Sequence, residues 1–404
     1  MKKLIKTALI ILVLVLSCRK IDDQSYTVKF YGDSYEDIGY SVSIASDGYV
    51  IAGQLTDVSR TGNFITGTNK NMGIIKTGWD GNVVWKLSAG GVRSDWGSKL
   101  FKNDDGSYIC VGTYTDSTNV VQTDVFVVKV SAEGSVVWQK NYSRPGNQTG
   151  VDLVKTGEGY LVLCTTDRAN LNGNIEGNTD IQFMRITANG DTIGSSPQFG
   201  FSGNDIGVAI KQALDGNYIV FGTTDRSQEQ NQDKNNLLLL LINSSGTVLQ
   251  SEILGTSADE YAADFEVVRD GYLLTYTIGQ DGDAQEIWVK KMQADLFAAP
   301  VFTSKVSVTT PGATDNSNKV YAITRRISGY YLLSGIYGKT TAAKMMVCEI
   351  DSTGTLVAGH QIIKGSTGVQ YAYDVTAGED GFIIAVGKNS YDVNSMITFL
   401  KFKF

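Results

Sequence analysis

The sequence predicts an all-β fold made of seven repeated units, and three observations carry this prediction. A short motif, in which a turn glycine precedes an aromatic residue and an apolar run, occurs seven times at nearly constant spacing. Glycine is abundant at 44 residues, proline is scarce at 4, and tyrosine, at 20, outnumbers each other aromatic residue. This composition is typical of many short strands joined by tight turns. The two ends of the chain also complement each other as parts of one unit.

The repeat is clearest at its turn. The first copy is the segment Asp-Gly-Tyr-Val-Ile-Ala-Gly at residues 47–53. An Asp-Gly turn of this kind joins an alternating strand, A, to an apolar strand, B, because its backbone twist matches that of a hairpin. A polar loop leads to strand C, and in most units a second glycine turn leads to strand D. The turn glycines are Gly48, Gly106, Gly159, Gly216, Gly271, Gly329 and Gly381, spaced 52 to 58 residues apart. Four antiparallel strands in units of this length predict the blades of a β-propeller.

The ends of the chain predict how the ring closes. The seventh unit ends after strand C, at residues 396–402, and has no strand D of its own. An additional strand, residues 26–32, precedes the first strand A and is similar in type to strand D at residues 83–87. Pairing the two ends removes the exposed edges of an open array. We therefore predict a seven-bladed β-propeller over residues 26–404, with the N-terminal strand completing the last blade.

The N-terminus has the features of an export signal. Lys2, Lys3 and Lys6 precede an apolar run at residues 8–16, which is too short to span a bilayer. The following Val-Leu-Ser-Cys, residues 15–18, resembles a bacterial lipobox. That resemblance implies a lipoprotein signal peptide at 1–17, a lipidated Cys18 as mature N-terminus, and a tether at 18–25. A soluble export signal that happens to contain a cysteine is the alternative.

The repeats resemble the Trp- and Gly-containing repeats of large secreted bacterial β-propellers, and the whole chain resembles propeller lipoproteins of Bacteroidota. The segment Lys-Ile-Asp-Asp at residues 20–23 is similar to the surface-export tags of such lipoproteins. The resemblance implies an outer-membrane lipoprotein that faces the cell surface or the periplasm and contacts the membrane through lipid on Cys18. It implies no defined chemistry.

Several functions are disfavoured by what the sequence contains. The chain has 35 Lys and Arg against 42 Asp and Glu, so a nucleic-acid partner is not expected. His360 is the single histidine and falls in a predicted outer strand, where an exposed structural role is expected. Cys110, Cys164 and Cys348 lie in apolar strands with no partner spacing, which indicates buried structural thiols. We expect no catalytic residue, no metal and no cofactor.

Acidic residues recur at the end of the units where the B–C loops and D–A connections meet. One set follows a threonine at the predicted start of the B–C loops: Asp57, Asp116, Asp167 and Asp225. A second set precedes strand A: Asp37, Asp95, Asp205 and Asp259. Units six and seven instead carry Lys319 and Val369 before strand A. Such aspartates either cap turns through backbone hydrogen bonds or form a one-sided acidic rim. The predicted ligand-binding residues are Asp37, Asp57, Asp95, Asp116, Asp167, Asp205 and Asp225.

These observations favour a non-enzymatic, lipid-anchored module of the cell envelope that binds an unknown glycan, cation or protein. The alternative function is a glycan-active enzyme that uses carboxylates at the channel mouth. That enzyme would need two carboxyl groups about 5 to 10 Å apart beside an open cleft.

Overall fold

A computed structural model describes residues 26–32, 35–61, 64–116, 122–167, 179–226, 234–280, 284–310, 317–339, 341–365, 367–391 and 394–404. These residues form 28 strands in seven separate four-stranded antiparallel sheets, and no helix occurs among them. Each sheet is one blade of a ring, so the protein is a seven-bladed β-propeller, as predicted. The predicted signal peptide, Cys18 and the tether lie outside the described residues.

Each blade places four strands from the channel outward. The inner strands, A, are β2 (Ile38–Ile44), β6 (Trp96–Lys102), β10 (Gln148–Lys155), β14 (Asp205–Gln212), β18 (Glu260–Val268), β22 (Asn318–Arg325) and β26 (Val369–Ala377). The second strands, B, are β3 (Gly48–Thr61), β7 (Tyr108–Asp116), β11 (Gly159–Thr166), β15 (Tyr218–Thr224), β19 (Gly271–Ile278), β23 (Tyr331–Tyr337) and β27 (Ile383–Tyr391). The third strands, C, are β4 (Phe64–Gly78), β8 (Gln122–Val130), β12 (Asp180–Thr187), β16 (Asn236–Ile242), β20 (Glu286–Gln293), β24 (Lys344–Ile350) and β28 (Asn394–Phe402). The outer strands, D, are β5 (Val83–Ala89), β9 (Val136–Tyr142), β13 (Gln198–Phe199), β17 (Val248–Leu254), β21 (Phe302–Val306), β25 (Leu356–Lys364) and, from the N-terminus, β1 (Thr27–Tyr31).

The ring closes as the chain ends predict. Strand β1 pairs antiparallel with β28, from Thr27 opposite Lys401 to Tyr31 opposite Ile397, and so completes blade seven. The buried Tyr31 hydroxyl donates a 2.7 Å hydrogen bond to the Gly81 carbonyl of blade one. The N-terminal strand therefore joins the last blade to the first.

Adjacent blades pack through apolar faces and through tryptophans at their outer edges. Val50 and Ile74 of blade one share a core cluster with Cys110 and Val128 of blade two, and all four are fully buried. The Trp85 indole donates to the Ala132 carbonyl in the C–D turn of blade two. A Cβ added at Gly134 in that turn would lie 2.5 Å from the Trp85 ring, so only glycine fits there. The burial predicted for Cys110, Cys164 and Cys348 is confirmed, since none of the three has exposed surface.

Every inner strand contains a one-residue bulge near its start. The register of β2, for example, steps from Gly39 to Ser41 and leaves Tyr40 as the extra residue. A bulge bends its strand and redirects a side chain. The bulged residues, in blade order, are Tyr40, Ser98, Val151, Val208, Ala263, Tyr321 and Tyr373.

The hairpins between strands B and C are longer in blades one and two than the sequence indicated. Thr56 and Asp57 lie inside β3, paired with Lys70 and Asn69, and Asp116 is the last paired residue of β7. In blade one the expectation that Thr56 and Asp57 open the loop is therefore wrong, because the ladder continues past them. In blade two, strand β7 ends at Asp116. None of the described segments forms a helix with the length and hydropathy of a membrane span.

Candidate functional site

The first half of the inner strands surrounds a cavity of about 450 Å³ in the central channel. Ligand pockets commonly fall between roughly 300 and 1,000 Å³. All seven bulged residues line the cavity, so the bulges define its wall. Trp96, Lys99, Asp152 and Asp264 contribute further surface. The cavity thus combines aromatic rings with charged groups. Its wall in blades three to five contains valine and alanine side chains beside Asp152 and Asp264.

One side of the cavity is aromatic. We define the tyrosine wall as Tyr40, Tyr321, Tyr371 and Tyr373, from blades one, six and seven. Tyr373 lies at its centre, with ring centroids 5.1 Å from Tyr40 and 5.0 Å from Tyr321. Tyr371 stacks on Tyr373 at 5.4 Å and does not itself line the cavity. The stack therefore presents Tyr373 to the cavity and supports it from behind.

The hydroxyl groups of Tyr40 and Tyr373 stay neutral. Burial, with a smaller contribution from Glu36, raises the pKa of Tyr40 to about 12. Burial also raises the pKa of Tyr373, and the neighbouring tyrosines add to this effect. Within the part of the chain that the structure describes, the hydroxyls of Tyr40 and Tyr373 make no hydrogen bond. Both are neutral groups that remain available to donate to a ligand.

Below the tyrosine wall lies a group of charged side chains, which we call the ionic cluster: Lys99, Lys211, Asp152, Asp264, Glu266 and Asp374. Lys211 lies 3.2 Å from Asp264 and 3.3 Å from Glu266. The Lys99 ammonium lies 3.7 Å from an Asp374 oxygen. Two lysines face four acids here, so the cluster carries an excess of negative charge when all six groups are ionised.

Three aspartates of the ionic cluster, Asp152, Asp264 and Asp374, connect neighbouring blades, and we call them the clasp aspartates. Asp374 accepts hydrogen bonds from its own neighbour Val375 at 3.0 Å and from Val42 of the next blade at 2.9 Å. Asp152 does the same with Leu153 and Ile210, and Asp264 with Phe265 and Ile323. Both oxygens of each carboxylate are thus bonded to backbone amides, one in each of two adjacent blades.

Burial governs the protonation of this cluster. It raises the pKa of Asp152 to about 6, although the charge of Lys99 and two backbone hydrogen bonds act in the opposite direction. For Lys99, burial acts to lower the pKa, but the attraction of Asp374, Asp264, Asp152 and Glu266 outweighs it and the pKa is raised. Lys99 therefore remains charged. Among the described residues its ammonium makes no hydrogen bond, so its three N–H donors are available in the cavity.

The predicted acids that precede strand A are buried and bonded to the backbone. Asp37, Asp95 and Asp205 have no exposed surface. Asp37 accepts from the Thr56 amide at 2.6 Å, and Asp95 from the Gly91 and Thr115 amides at 2.6 and 2.7 Å. Burial raises the pKa of both Asp95 and Asp205. These contacts are those of turn-capping residues.

The acids that follow a threonine are nearer the surface. Asp57 accepts from Asn71 at 2.7 Å and from Ser88 at 2.6 Å. Asp225 accepts from the Asn204 amide and side chain, both at 2.7 Å, and Asp167 has the same two contacts with Asn147. The structure brings Asp37 and Asp57 together in a cleft of about 350 Å³ outside the channel, and Asp225 contributes to the raised pKa of Asp205. Asp116 is half-buried at the end of β7. The ligand-binding role of these seven aspartates stays a prediction.

The bulges correct the alignment of the later blades. Counting back from the bulge, the position of Asp37 is held by Glu260, Asn318 and Gln370 in blades five to seven, one residue away from Asp259, Lys319 and Val369. All three are buried, and the Gln370 amide donates to the Thr367 carbonyl at 3.1 Å. A buried polar residue therefore occupies this position in every blade, including Gln148 in blade three. The apparent change to Lys319 and Val369 came from a shift of one residue.

Sequence reasoning did not select the tyrosine wall or Lys99. The signal was present in strand A, where Tyr371 and Tyr373 alternate and where Tyr40 and Tyr321 hold the same position relative to the bulge. Aligning the units on the bulge instead of the turn glycine would have found it.

Two further observations concern metal ligands and the single histidine. Among the described residues, no group of three or more His, Cys, Asp or Glu side chains is arranged to hold a metal ion. His360, in outer strand β25, contacts the buried Glu349, which also pairs with Arg326, and its ring stacks on Phe404 at 5.0 Å. The histidine is half-buried beside the Glu349–Arg326 pair, more enclosed than the exposed position expected.

Solved structures with the same fold are distant in sequence. The chain superimposes on puromycin hydrolase with a TM-score of 0.51 and 12% identity, covering 91% of this chain and 52% of that one. For the α-L-arabinofuranosidase Arb93A of Fusarium graminearum, the TM-score is 0.50 at 14% identity, with 81% and 97% covered. A protein from Lactobacillus plantarum gives 0.50 at 11% identity, with 87% and 91% covered. This chain thus spans about half of the puromycin hydrolase chain. No protein-family model and no curated sequence matches the chain. The likeness shows the propeller fold alone.

Proposed function

We propose that this protein is a lipid-anchored binding module of the cell envelope and that its ligand enters the central channel. One observation carries the channel site. The cavity contains hydrogen-bond donors that no described residue uses, on Tyr40, Tyr373 and Lys99, beside an aromatic wall. Tyr40, Lys99 and Tyr373 are only partly buried, so water reaches these donors, and a ligand that enters the cavity can replace that water.

A channel-blocking variant tests the site. Ala263→Trp fills the cavity from the bulge of β18, and Val208→Phe fills it more gently from the half-buried bulge of β14. The control is Ala299→Trp, an exposed position in the C–D connection of the same blade as Ala263. Saturation-transfer NMR is run with a panel of methyl hexosides, uronic acids, amino acids and nucleosides.

Signals from at least one class should disappear in the blocked variants and persist in the Ala299→Trp control. A panel that shows no saturable binding, or binding that both blocked variants retain, would remove the channel proposal.

The acidic rim is a second route to a ligand and has its own test. The combined variant Asp57→Asn, Asp116→Asn and Asp167→Asn neutralises three of the predicted acids and leaves the cavity unchanged. If the rim is the site, this variant loses the ligand that the panel identifies. Unchanged binding in this variant, with loss in the blocked variants, assigns the ligand to the channel.

A glycan-active enzyme is the second candidate function, and one observation favours it. Asp152 and Asp264 both line the cavity, and a carboxyl pKa of about 6 suits a general acid at neutral pH. Against it, all four oxygens of this pair accept backbone hydrogen bonds. A panel of p-nitrophenyl glycosides decides the question, since hydrolysis that Asp152→Asn abolishes would make the protein an enzyme.

The lipid anchor is a separate part of the proposal and rests on the lipobox at residues 15–18. Lipidation requires the Cys18 thiol. The Cys18→Ala variant should therefore move from the detergent phase to the aqueous phase when expressed in a bacterium that processes lipoproteins. An unchanged partition would disprove the anchor without affecting the channel.

A further inference from the structure

The chemistry of the cavity also restricts its ligand, if the channel is the binding site proposed above. We infer that the channel takes a neutral hexopyranose, either free or as the end of a glycan chain. The juxtaposition of an aromatic wall with the ionic cluster carries this inference, because each of these surfaces suits a different side of a sugar ring.

The aromatic side suits the apolar face of a pyranose. Aromatic rings have a negative face, and the C–H bonds on one face of a pyranose are weakly positive, so the two stack favourably. Tyr373 is held rigidly by Tyr371 behind it, and Trp96 lines the cavity from the neighbouring side. Lys319 and Lys388 already lie over the rings of Tyr321 and Tyr371, at 5.6 and 4.8 Å from the centroids. Tyr40, Tyr373 and Trp96 line the cavity, and among the described residues no cation lies over their rings.

The polar groups suit the hydroxyls at the ring edge. The neutral hydroxyls of Tyr40 and Tyr373 both donate and accept, and the Lys99 ammonium only donates. Hydroxyl groups of a sugar also do both, so they satisfy each of these partners without bringing a charge into the site. A site built to bond hydroxyls discriminates strongly against ligands that lack them.

The charge balance of the ionic cluster selects against acidic sugars. Lys99 is the cation nearest the cavity, and its raised pKa shows that surrounding carboxylates already outweigh the cost of its burial. An added carboxylate would meet four acids and would compete with Asp374 for Lys99. Neutral hexosides should therefore bind better than uronates of the same configuration.

The experiment measures dissociation constants by calorimetry at pH 7 for methyl glucoside, methyl galactoside, methyl mannoside and the matching methyl uronosides. At least one neutral hexoside should bind saturably, and its uronoside should bind at least tenfold more weakly. Tyr373→Ala should weaken the hexoside at least tenfold. The conservative pair Tyr40→Phe with Tyr373→Phe keeps the rings, guards against misfolding, and should weaken it severalfold. The control Tyr330→Ala, in the exposed A–B turn of blade six, should leave it unchanged.

The outcomes separate this inference from the proposed function. If another class of the NMR panel binds and is lost in Ala263→Trp while no neutral hexoside binds, the sugar inference fails and the channel proposal stands. If no class binds, both fail. A hexoside that binds equally to the parent, Tyr373→Ala and Ala263→Trp lies elsewhere and overturns the inference. A uronoside that binds as well as its hexoside overturns the charge argument and with it the neutral ligand.

Discussion

Within the channel, the tyrosine wall and the clasp aspartates occupy adjacent positions of the inner strands, but their polar atoms are used differently. Tyr373 is the bulged residue of β26 and Asp374 follows it directly. The Asp374 carboxylate holds Val42 of the next blade, whereas the Tyr373 hydroxyl is unbonded among the described residues. A single strand thus supplies one residue that closes the ring and one that faces the cavity.

The comparison indicates where function and stability are separable. Acidic residues attract attention in a sequence as possible ligands, yet the acids in this channel are occupied by backbone amides. Tyr40 and Tyr373, which composition alone assigns to packing, supply donors that no described residue uses. Variants of the two groups should therefore differ sharply in their effect on stability.

The largest effect is expected for a clasp aspartate. Asp264→Ala leaves the amides of Phe265 and Ile323 without their acceptor and removes a partner of Lys211. The free energy of unfolding should fall by about 3 to 5 kcal/mol, as for other broken buried pairs. Chemical denaturation measures it. The control is Asp104→Ala, whose exposed carboxylate pairs with exposed Lys155, and it should unfold as the parent does. Equal stability of the Asp264 variant would show that the clasp contributes nothing.

The pH dependence of Asp152 is the next effect in size. Its pKa of about 6 lies above its ordinary 3.8, so the folded state holds a proton that the unfolded state releases. This group's contribution to stability is therefore complete below about pH 4 and is lost as the pH rises through 6. The shift corresponds to at most about 3 kcal/mol.

Denaturation at pH 4 to 7 compares the parent with Asp152→Asn, which cannot titrate at this position. The stability of the parent relative to the variant should decrease as the pH rises. A difference that is constant, or that increases with pH, would contradict the raised pKa.

A third prediction concerns the effect of the Lys99 charge on Asp152 within the ionic cluster. The Lys99 charge lowers the pKa of Asp152, so Lys99→Met should move its titration midpoint above 6. Carboxyl ¹³C NMR follows the midpoint directly. The control is Lys155→Met. Lys155 is exposed and lies on β10, the strand of Asp152, and its replacement should leave the Asp152 midpoint unchanged. An unchanged midpoint in the Lys99 variant would mean that its charge does not reach Asp152.

The smallest effect is expected in the tyrosine wall. Tyr373→Phe removes a hydroxyl that has no partner among the described residues and should change the free energy of unfolding by less than about 0.5 kcal/mol. Tyr31→Phe is the matched comparison, because its buried hydroxyl donates to Gly81 at 2.7 Å. It should cost about 1 kcal/mol. If the two variants lose the same stability, the Tyr373 hydroxyl is structural and is not held free for a ligand.

Much of the architecture was predictable because it depends on local patterns. The turn glycines mark hairpins wherever a tight turn needs a positive φ, as at Gly106, where φ is 81°. The orphan strand at residues 26–32 predicted ring closure, since an unpaired strand edge needs a partner. The B–C hairpin of blade one was misjudged. Thr56 and Asp57 are residue types that favour loops, but here they lie in a strand pair that continues past them.

The sequence by itself determined the fold class, the seven blades, the closing strand and the burial of the cysteines, because each follows from a period or a pairing within one unit. Only the tertiary structure decided which residues meet in the channel. Tyr40, Lys99, Asp152, Asp264 and Tyr373 come from five different blades, so no local pattern relates them. Their meeting also depends on the bulges, since a shift of one residue in a strand moves every side chain to the opposite face. Without the bulges, the position equivalent to Asp37 was placed one residue away in blades five to seven, at 259, 319 and 369. The bulge register places it at Glu260, Asn318 and Gln370.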